Sequence, residues 1–236
     1  MTLGSLVLVP AWLSEDAPPD SVLPAPVLQR IRGLDAFVVE NAKTARRFLA
    51  ACGHPKPMRE IAMGELNEHT ASAAIPALLE PALAGHDLGL MSEAGMPAIA
   101  DPGAALVAAA HERGISVIPL VGPASIVLAL AASGLEGQRF RFVGYLPAES
   151  TARRAALVEL ERRSARDAET QVFIETPYRN EALLADLLQA CRGVTRLAVA
   201  ADLTGPAEFI RMERIEGWRA RPPTLGKVPA IFLLQA

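Results

Sequence analysis

Residues 87–135 read DLGLMSEAGMPAIADPGAALVAAAHERGISVIPLVGPASIVLALAASGL, and this stretch decides the fold. Its order is strand, loop, helix, strand, loop, helix. Residues 87–92 form a short apolar run suited to a buried strand. The next nine residues break regular structure with Gly95 and Pro97. Asp101-Pro102-Gly103 reads as a helix start, because an aspartate can cap free N–H groups and proline suits the first helical position. That helix is expected to run to about Arg113 and stop at Gly114. Residues 116–120 are the next strand, and Val121-Gly122-Pro123 turns the chain into an alanine-rich helix over residues 124–133.

Two strand-to-helix loops from neighbouring parallel strands emerge on the same edge of a sheet. Crevices at the carboxyl ends of such strands are where open α/β sheets bind ligands. Glycine and proline hold the backbone in shapes that let carbonyls and amides face a ligand instead of a neighbouring strand. One such loop reads as a tight connection; two together, one of them nine residues long, point to a site.

Outward from this centre, the first half alternates strand and helix, which argues for a parallel, helix-covered sheet. Strands are expected over 5–9, 36–40 and, briefly, 59–62. Helices are expected over 26–32, from a cap at Asn41 or Thr44 to Cys52, and over 71–83, the last interrupted by Pro76 and Pro81. Residues 12–24 make a polar, proline-rich loop too long for a plain connector. The second half carries strands over 140–143, 170–174, 196–201, 208–215 and 228–234, with a loop over 144–147. Its helices are 151–163, with Leu157 and Leu160 inward and arginines outward, and 180–191. A mixed sheet is expected there. The fold class is α/β in two domains, residues 1–121 and 122–236, with a mostly parallel first sheet, a mixed second sheet and flanking helices.

With 51% hydrophobic but only 5% aromatic residues, the core must be mostly Ala, Leu and Val. Twenty-six acidic against 23 basic residues leave a net charge of -3, which is no footprint of a chain that wraps nucleic acid, although a local basic patch remains compatible with it. Cys52 and Cys191 lie far apart and the four histidines are scattered, so buried free thiols and no metal site are expected. The opening MTLGSLVLVP does not read as a signal peptide, and no apolar run is long enough to span a bilayer. A soluble, cytoplasmic protein is expected. There is no G-x-G-x-x-G after the first strand, no Walker loop, no G-x-S-x-G and no H-E-x-x-H.

The run Ser92-Glu93-Ala94-Gly95-Met96-Pro97-Ala98-Ile99-Ala100-Asp101-Pro102-Gly103 resembles S-D-A-G-T-P-x-I-x-D-P-G of the tetrapyrrole-methylase superfamily of S-adenosylmethionine-dependent methyltransferases. Within it the nearest resemblance is to the ribosomal RNA small subunit methyltransferase I branch, which 2′-O-methylates a cytidine. Ile118-Pro119-Leu120-Val121-Gly122-Pro123-Ala124-Ser125 is similar to that branch's V-P-L-P-G-P-x-A, and Gly144-Tyr145-Leu146-Pro147 with Arg153-Arg154 to its G-F-L-P and paired arginine. Glu175-Thr176-Pro177-Tyr178-Arg179 is similar to E-S-x-H-R, and Ala201-Asp202-Leu203-Thr204-Gly205 partly keeps R-E-L-T-K. Order is kept over roughly the last two-thirds of the chain. Departures fall earlier: P-T-P-I-G-N-L is here Pro10-Ala11-Trp12-Leu13-Ser14-Glu15-Asp16, E-D-T-R is Glu40-Asn41-Ala42-Lys43, and H-N-E is Leu66-Asn67-Glu68. A basic carboxyl-terminal extension like that of the branch is not expected.

The resemblance implies a cofactor, S-adenosyl-L-methionine, with S-adenosyl-L-homocysteine as product, in a cleft between two domains, and a homodimer. It implies that Pro10, Gly95, Met96, Ile99, Pro123, Ser125 and Ile126 lie against the cofactor from one side, and Tyr178, Ala201, Pro229 and Ala230 from the other. The implied partner is ribosomal RNA or the small ribosomal subunit, with no membrane and no metal. A small tetrapyrrole-type acceptor and a cofactor-binding protein without turnover are the alternatives. Glu40 and Glu68 are the candidate bases for a hydroxyl proton, although a carboxylate of this kind taken alone is more often a solvated surface group. Asp101 reads first as a helix cap. Glu175 reads as a ribose ligand or a local amide acceptor, and Arg153 with Arg154 as a solvated face or a phosphate patch.

Overall fold

The computed structural model describes residues 2–236 and divides into two compact units, Met1–Ala124 and Ser125–Ala236. The first unit carries β1 (Ser5–Leu8), α1 (Ala25–Arg32), β2 (Ala36–Val39), α2 (Ala42–Ala51), β3 (Ala62–Glu65), α3 (Glu80–Leu83), β4 (Leu88–Met91), α4 (Gly103–Glu112) and β5 (Ser116–Pro119). The strands form one sheet in the order β3-β2-β4-β1-β5, with every pair parallel. The central strands are apolar because both their faces are covered. Val7, Phe37, Val39 and Met91 pack with α1 and α2 through Val27, Ile31, Phe48 and Leu49. The alternate residues Leu6, Val38, Leu88 and Leu90 pack with Leu79, Leu106 and Ala110 on the opposite face.

This topology locates a crevice. The crossover from β1 to β2 and the crossover from β4 to β5 run in opposite directions across the sheet. Since β-α-β crossovers keep one hand, the chain leaves the adjacent strands β1 and β4 over opposite faces. The gap outside their carboxyl ends is a topological switch point.

Local chemistry sets the boundaries. Asn41 caps α2, its Oδ1 accepting the Lys43 amide at 2.9 Å. The helix expected over 71–83 is instead a 3-10 segment, Ser72–Leu79, followed by the single turn α3. Pro76 and Pro81 each remove a donor and crowd the preceding turn, so no continuous α-helix survives. The brief strand expected over 59–62 is also displaced: Met58–Glu60 is a 3-10 turn and β3 begins at Ala62. Inside the long early loop, Trp12 is buried and meets Phe48 edge-on at 5.4 Å.

The second unit carries α5 (Ser125–Ser133), β6 (Phe140–Tyr145), α6 (Ser150–Asp167), β7 (Thr170–Glu175), α7 (Asn180–Ala190), β8 (Arg196–Ala201), β9 (Phe209–Arg214), α8 (Ile215–Ala220) and β10 (Ala230–Gln235). Its sheet order is β6-β7-β10-β8-β9, with β6 and β7 parallel and the other pairs antiparallel. Leu157, Leu183, Leu187, Phe173, Phe232 and Trp218 fill the core on one face. Residues 144 and 145, expected in a loop, extend β6 past a register shift between Phe142 and Gly144, where Gly144 takes φ +71°.

The arginines of α6 are not all outward. Arg153 is 3% exposed, with its guanidinium 2.5 Å from the Asp186 carboxylate and 2.8 Å from the Ala148 carbonyl. It ties α6 to α7, whereas Arg154 is half-exposed and Arg162 and Arg166 face solvent. Among the described residues, no helix is long and apolar enough to cross a membrane.

Candidate functional site

Three loops meet outside the carboxyl ends of β1, β4 and β5. The Ala11 amide donates to the Gly95 carbonyl at 2.9 Å, an antiparallel bridge between the loop after β1 and the loop after β4. A side chain at Gly122 would stand 2.3 Å from the Pro10 ring, so the loop after β5 rests directly on Pro10. A side chain at Gly95 would lie 3.1 Å from Leu13 and 3.5 Å from the Pro123 carbonyl. Pro10, Gly95 and Pro123 are thus brought together. Met96 is half-buried beside them, and Ile99 is 49% exposed.

The β4 loop holds its shape against backbone preference. Ala98 and Ala100 sit at φ +67° and +63°, in the left-handed region that costs a non-glycine residue about 1–2 kcal/mol. Asp101 enforces this, accepting the Ala98 amide with both carboxylate oxygens, at 3.0 and 2.9 Å, and the Gly103 amide at 2.7 Å. Its capping is displaced by one residue from expectation: α4 begins at Gly103, with Pro102 in the capping position. Burial raises the Asp101 pKa, and the amide hydrogen bonds from Gly103 and Ala98 offset only part of that. Non-glycine residues kept in such conformations concentrate at binding and catalytic loops.

The two candidate bases separate. Glu40 follows β2 at the same sheet edge, its amide donating to the Met91 carbonyl at 3.2 Å and its carboxylate accepting the Glu93 amide at 3.2 Å. With Ser92, Pro97 and Asp101 it lines a recess of about 10 Å³, room for one water. Burial raises its pKa first, and the like charges of Glu93, Asp101 and Glu68 add to that against the Glu93 amide. The Glu68 side chain is 86% exposed on a turn, with His69 beside it at 3.6 Å. Glu40 has the environment of a proton acceptor; Glu68 has that of a solvated carboxylate.

In the second unit, Glu175, Ala230 and Ala201 stand in one row across β7, β10 and β8. The segment entering β10 is gripped from both sides: Asn180 Nδ2 donates to the Val228 carbonyl at 2.8 Å, and the Asp202 amide to the Pro229 carbonyl at 3.0 Å. Asp202 and Thr204 are again non-glycine residues at positive φ, +48° and +67°. Glu175 accepts the Thr176 amide at 2.7 Å and Arg179 Nε at 2.9 Å through one oxygen. Its other oxygen, Asn180 Oδ1 and Thr204 Oγ1 are buried without a hydrogen-bond partner. Each such group costs about 1–3 kcal/mol until a partner arrives. Tyr178 is 80% exposed, with Lys227 Nζ 5.4 Å from its ring centre. Ser125 and Ile126 open α5 and are half-buried.

Sequence reasoning missed Asn180 and Thr204. An asparagine at the first position of a helix was a legible signal for the former; the strain at Thr204 had none. Arg153 and Arg154 do not present a phosphate patch, since Asp186 and the Ala148 carbonyl consume Arg153 and Asp186 holds Arg154 at 3.3 Å. Among the described residues, no group of three or more His, Cys, Asp or Glu could hold a metal ion.

Against known proteins, the family model for tetrapyrrole (corrin/porphyrin) methylases matches residues 23–216. The ribosomal RNA small subunit methyltransferase I of Xylella fastidiosa is 37% identical over 174 residues, 74% of this chain and 60% of that protein. Its namesake in Vibrio cholerae is 37% identical over 146 residues, 62% of this chain and 49% of that protein. The Haemophilus influenzae namesake is 30% identical over 212 residues, 88% of this chain and 71% of that protein. The alignments thus span about half to three-fifths of the first two relatives' length. Among solved structures, the methyltransferase CobJ superposes with a TM-score of 0.61 at 17% identity, covering 98% of this chain and 94% of that one. Uroporphyrin-III-C-methyltransferase from Thermus thermophilus gives 0.54 at 21% identity, covering 98% and 92%. These likenesses show the fold, the sequence relatives carry the rest, and the chain belongs to the tetrapyrrole (corrin/porphyrin) methylase family.

Proposed function

We propose that the chain is an S-adenosyl-L-methionine-dependent methyltransferase that methylates a ribose 2′-hydroxyl of a cytidine in small-subunit ribosomal RNA. The observation that carries this is the strained, proline- and glycine-bent loop at the switch point, residues 95–101, within a sequence whose three relatives named above bear one methyltransferase name. S-adenosyl-L-methionine, when bound, supplies a methyl carbon activated by a sulfonium. The fit rests on the residues present in the first unit: backbone converging at Pro10, Gly95 and Pro123, with Met96 and Ile99 on the same loop as Gly95. Ser125, Ile126 and Tyr178 complete the proposed contacts.

The chain's part in methyl transfer is alignment, which supplies much of the rate in a bimolecular displacement. Asp101 fixes the Ala98 amide and thereby the loop that lies against the donor. Glu40 is assigned as the group that takes the acceptor hydroxyl's proton, because it stands at the sheet edge beside the switch-point loop and burial raises its pKa above the usual carboxylate range. Glu68 is left as a solvated side chain.

A homodimer acting in the cytoplasm is the proposed form. The α5 face that leaves Val127 56% and Leu128 39% exposed supports self-association. Sedimentation at micromolar concentration tests it, and a monomer overturns it. The function itself is tested by mapping ribose methylation in small-subunit RNA from wild-type and deletion cells. Loss of one cytidine methylation, restored by the gene, is expected; an unchanged map contradicts the assigned acceptor.

A further inference from the structure

We propose that the open edge of β3 docks an extended, basic peptide segment of another protein, which adds a strand to the first sheet and seats an apolar side chain in the groove beside it. β3 stands at one end of the sheet order and has β2 as its one neighbour. The Ala62 and Leu66 amides donate to the Asp35 and Val39 carbonyls, at 3.2 and 2.9 Å. Backbone groups alternate in direction along a strand, so Met63 and Glu65 turn their N–H and C=O groups away from β2. Ala62 and Glu65 are exposed, and among the described residues no strand pairs on that side. What matches such a row of backbone donors and acceptors is another backbone.

Edge strands are commonly guarded by proline, lysine or a bulge. Residues 62–65 read Ala-Met-Gly-Glu and pair with β2 without a register shift, so none of these guards is present. On the face shared with Val38, a groove of about 510 Å³ runs beside the edge, the size of a small-ligand pocket. It is open because the residues around it are small: Ala36, Ala62 and Gly64 on the strands, Ala77 in the 3-10 segment and Ala84 just after α3. Alternate side chains of an added strand fall on this face, which gives the groove an apolar side chain to receive.

Charge selects the partner. Among the described residues, Glu80 is the one charged group that lines the groove. Glu65 ends β3, and Glu68 follows on the exposed turn. The cations nearby are already offset, Arg59 by Glu60 at 3.9 Å and Lys56 by Asp35 at 2.7 Å. The edge therefore keeps a negative excess, and its complement is a segment that alternates apolar with basic residues. A second copy of this chain would set the same carboxylates against themselves, so the occupant is a different chain.

The test is fluorescence anisotropy of three labelled octapeptides titrated with the full chain: alternating lysine and valine, alternating glutamate and valine, and the lysine–valine peptide with its backbone amides methylated. The first is expected to bind at least about 10-fold more tightly than either of the others, and to weaken as salt is raised. Hydrogen exchange at residues 63–65 is expected to slow when it is bound. Ala84→Trp fills the groove, and Glu65→Pro removes an outward N–H where an edge strand tolerates proline. Each is expected to bind the lysine–valine peptide about 10-fold more weakly. Equal binding of the three peptides by the wild-type chain, or none up to millimolar concentration, overturns the proposal whether or not a variant folds. So does unchanged binding by a folded Ala84→Trp, or exchange at residues 63–65 that the peptide does not slow. A dimer in sedimentation that is lost in Glu65→Pro assigns the edge to a second copy and overturns it as well.

Discussion

Both oxygens of Asp101 reach the Ala98 amide, at 3.0 and 2.9 Å, and hold a non-glycine residue at φ +67° at the mouth of the switch-point crevice. The clamp sets a conformation that the sequence would not otherwise choose. Asp101→Ala is expected to lower stability by about 1–2 kcal/mol and to weaken S-adenosyl-L-homocysteine binding, read by denaturant titration and calorimetry. Ala98→Gly relieves the strain and is expected to leave stability unchanged or raised by up to about 1 kcal/mol, while a looser loop still weakens binding. Destabilisation by Ala98→Gly would show that the left-handed backbone is not strained.

Glu40 is the second carboxylate of that edge. A group whose folded pKa is raised carries more protons folded than unfolded, so it lowers stability as pH rises through its unfolded and folded pKa values. Glu40→Gln removes this cost at pH 7. Because Glu40 is half-exposed, the gain is discounted to below about 1 kcal/mol, a rise of roughly 2 °C in the melting temperature. Methyl transfer is expected to fall about 100-fold or more in the same variant, with cofactor affinity retained. Full activity in Glu40→Gln would remove it as the base.

The Asp186 carboxylate has the opposite sign. Burial raises its pKa, but the Ser150 hydroxyl, the Arg153 hydrogen bond and the charges of Arg153 and Arg154 outweigh burial and hold it below the usual range. Its contribution is present above the unfolded aspartate pKa and is lost as pH falls through the lower folded value. Asp186→Asn leaves Arg153 buried and uncompensated, and is expected to cost about 3–5 kcal/mol at pH 7. The difference from wild type is expected to shrink in acid, below about pH 4. A pH-independent difference would show that packing, rather than charge, dominates there.

Close approach of backbone makes a third site of sensitivity. Gly122→Ala drives a methyl group against the Pro10 ring, where 2.3 Å is available. A loss of about 1–3 kcal/mol is expected, with weaker cofactor binding because the loops after β1 and β5 are pushed apart. A thermal melt identical to wild type would contradict the packing of these loops.

Much of the fold is legible in the chain itself. Apolar runs such as 5–8 and 196–201 define β1 and β8 because buried strands exclude polar side chains, and the switch-point loop announces itself through Gly95, Pro97 and Asp101-Pro102-Gly103. The rest depends on partners that local sequence does not name. Pro76 and Pro81 convert an apparent helix into a 3-10 segment, and six-residue α8 is too short to show a period. Arg153 has the look of a surface residue until Asp186, 33 positions away, is seen to receive it. Glu175 is readable as a ligand candidate, but its unpartnered oxygen, and that of Asn180, follow from the fold alone.

The most direct measurement of the central claim is calorimetric titration of S-adenosyl-L-homocysteine into the wild-type chain and the Asp101→Ala variant. Saturable binding by the wild-type chain, weakened about 10-fold or more in the variant, is the result this account requires. No heat up to millimolar ligand, or equal affinity in both proteins, would contradict it.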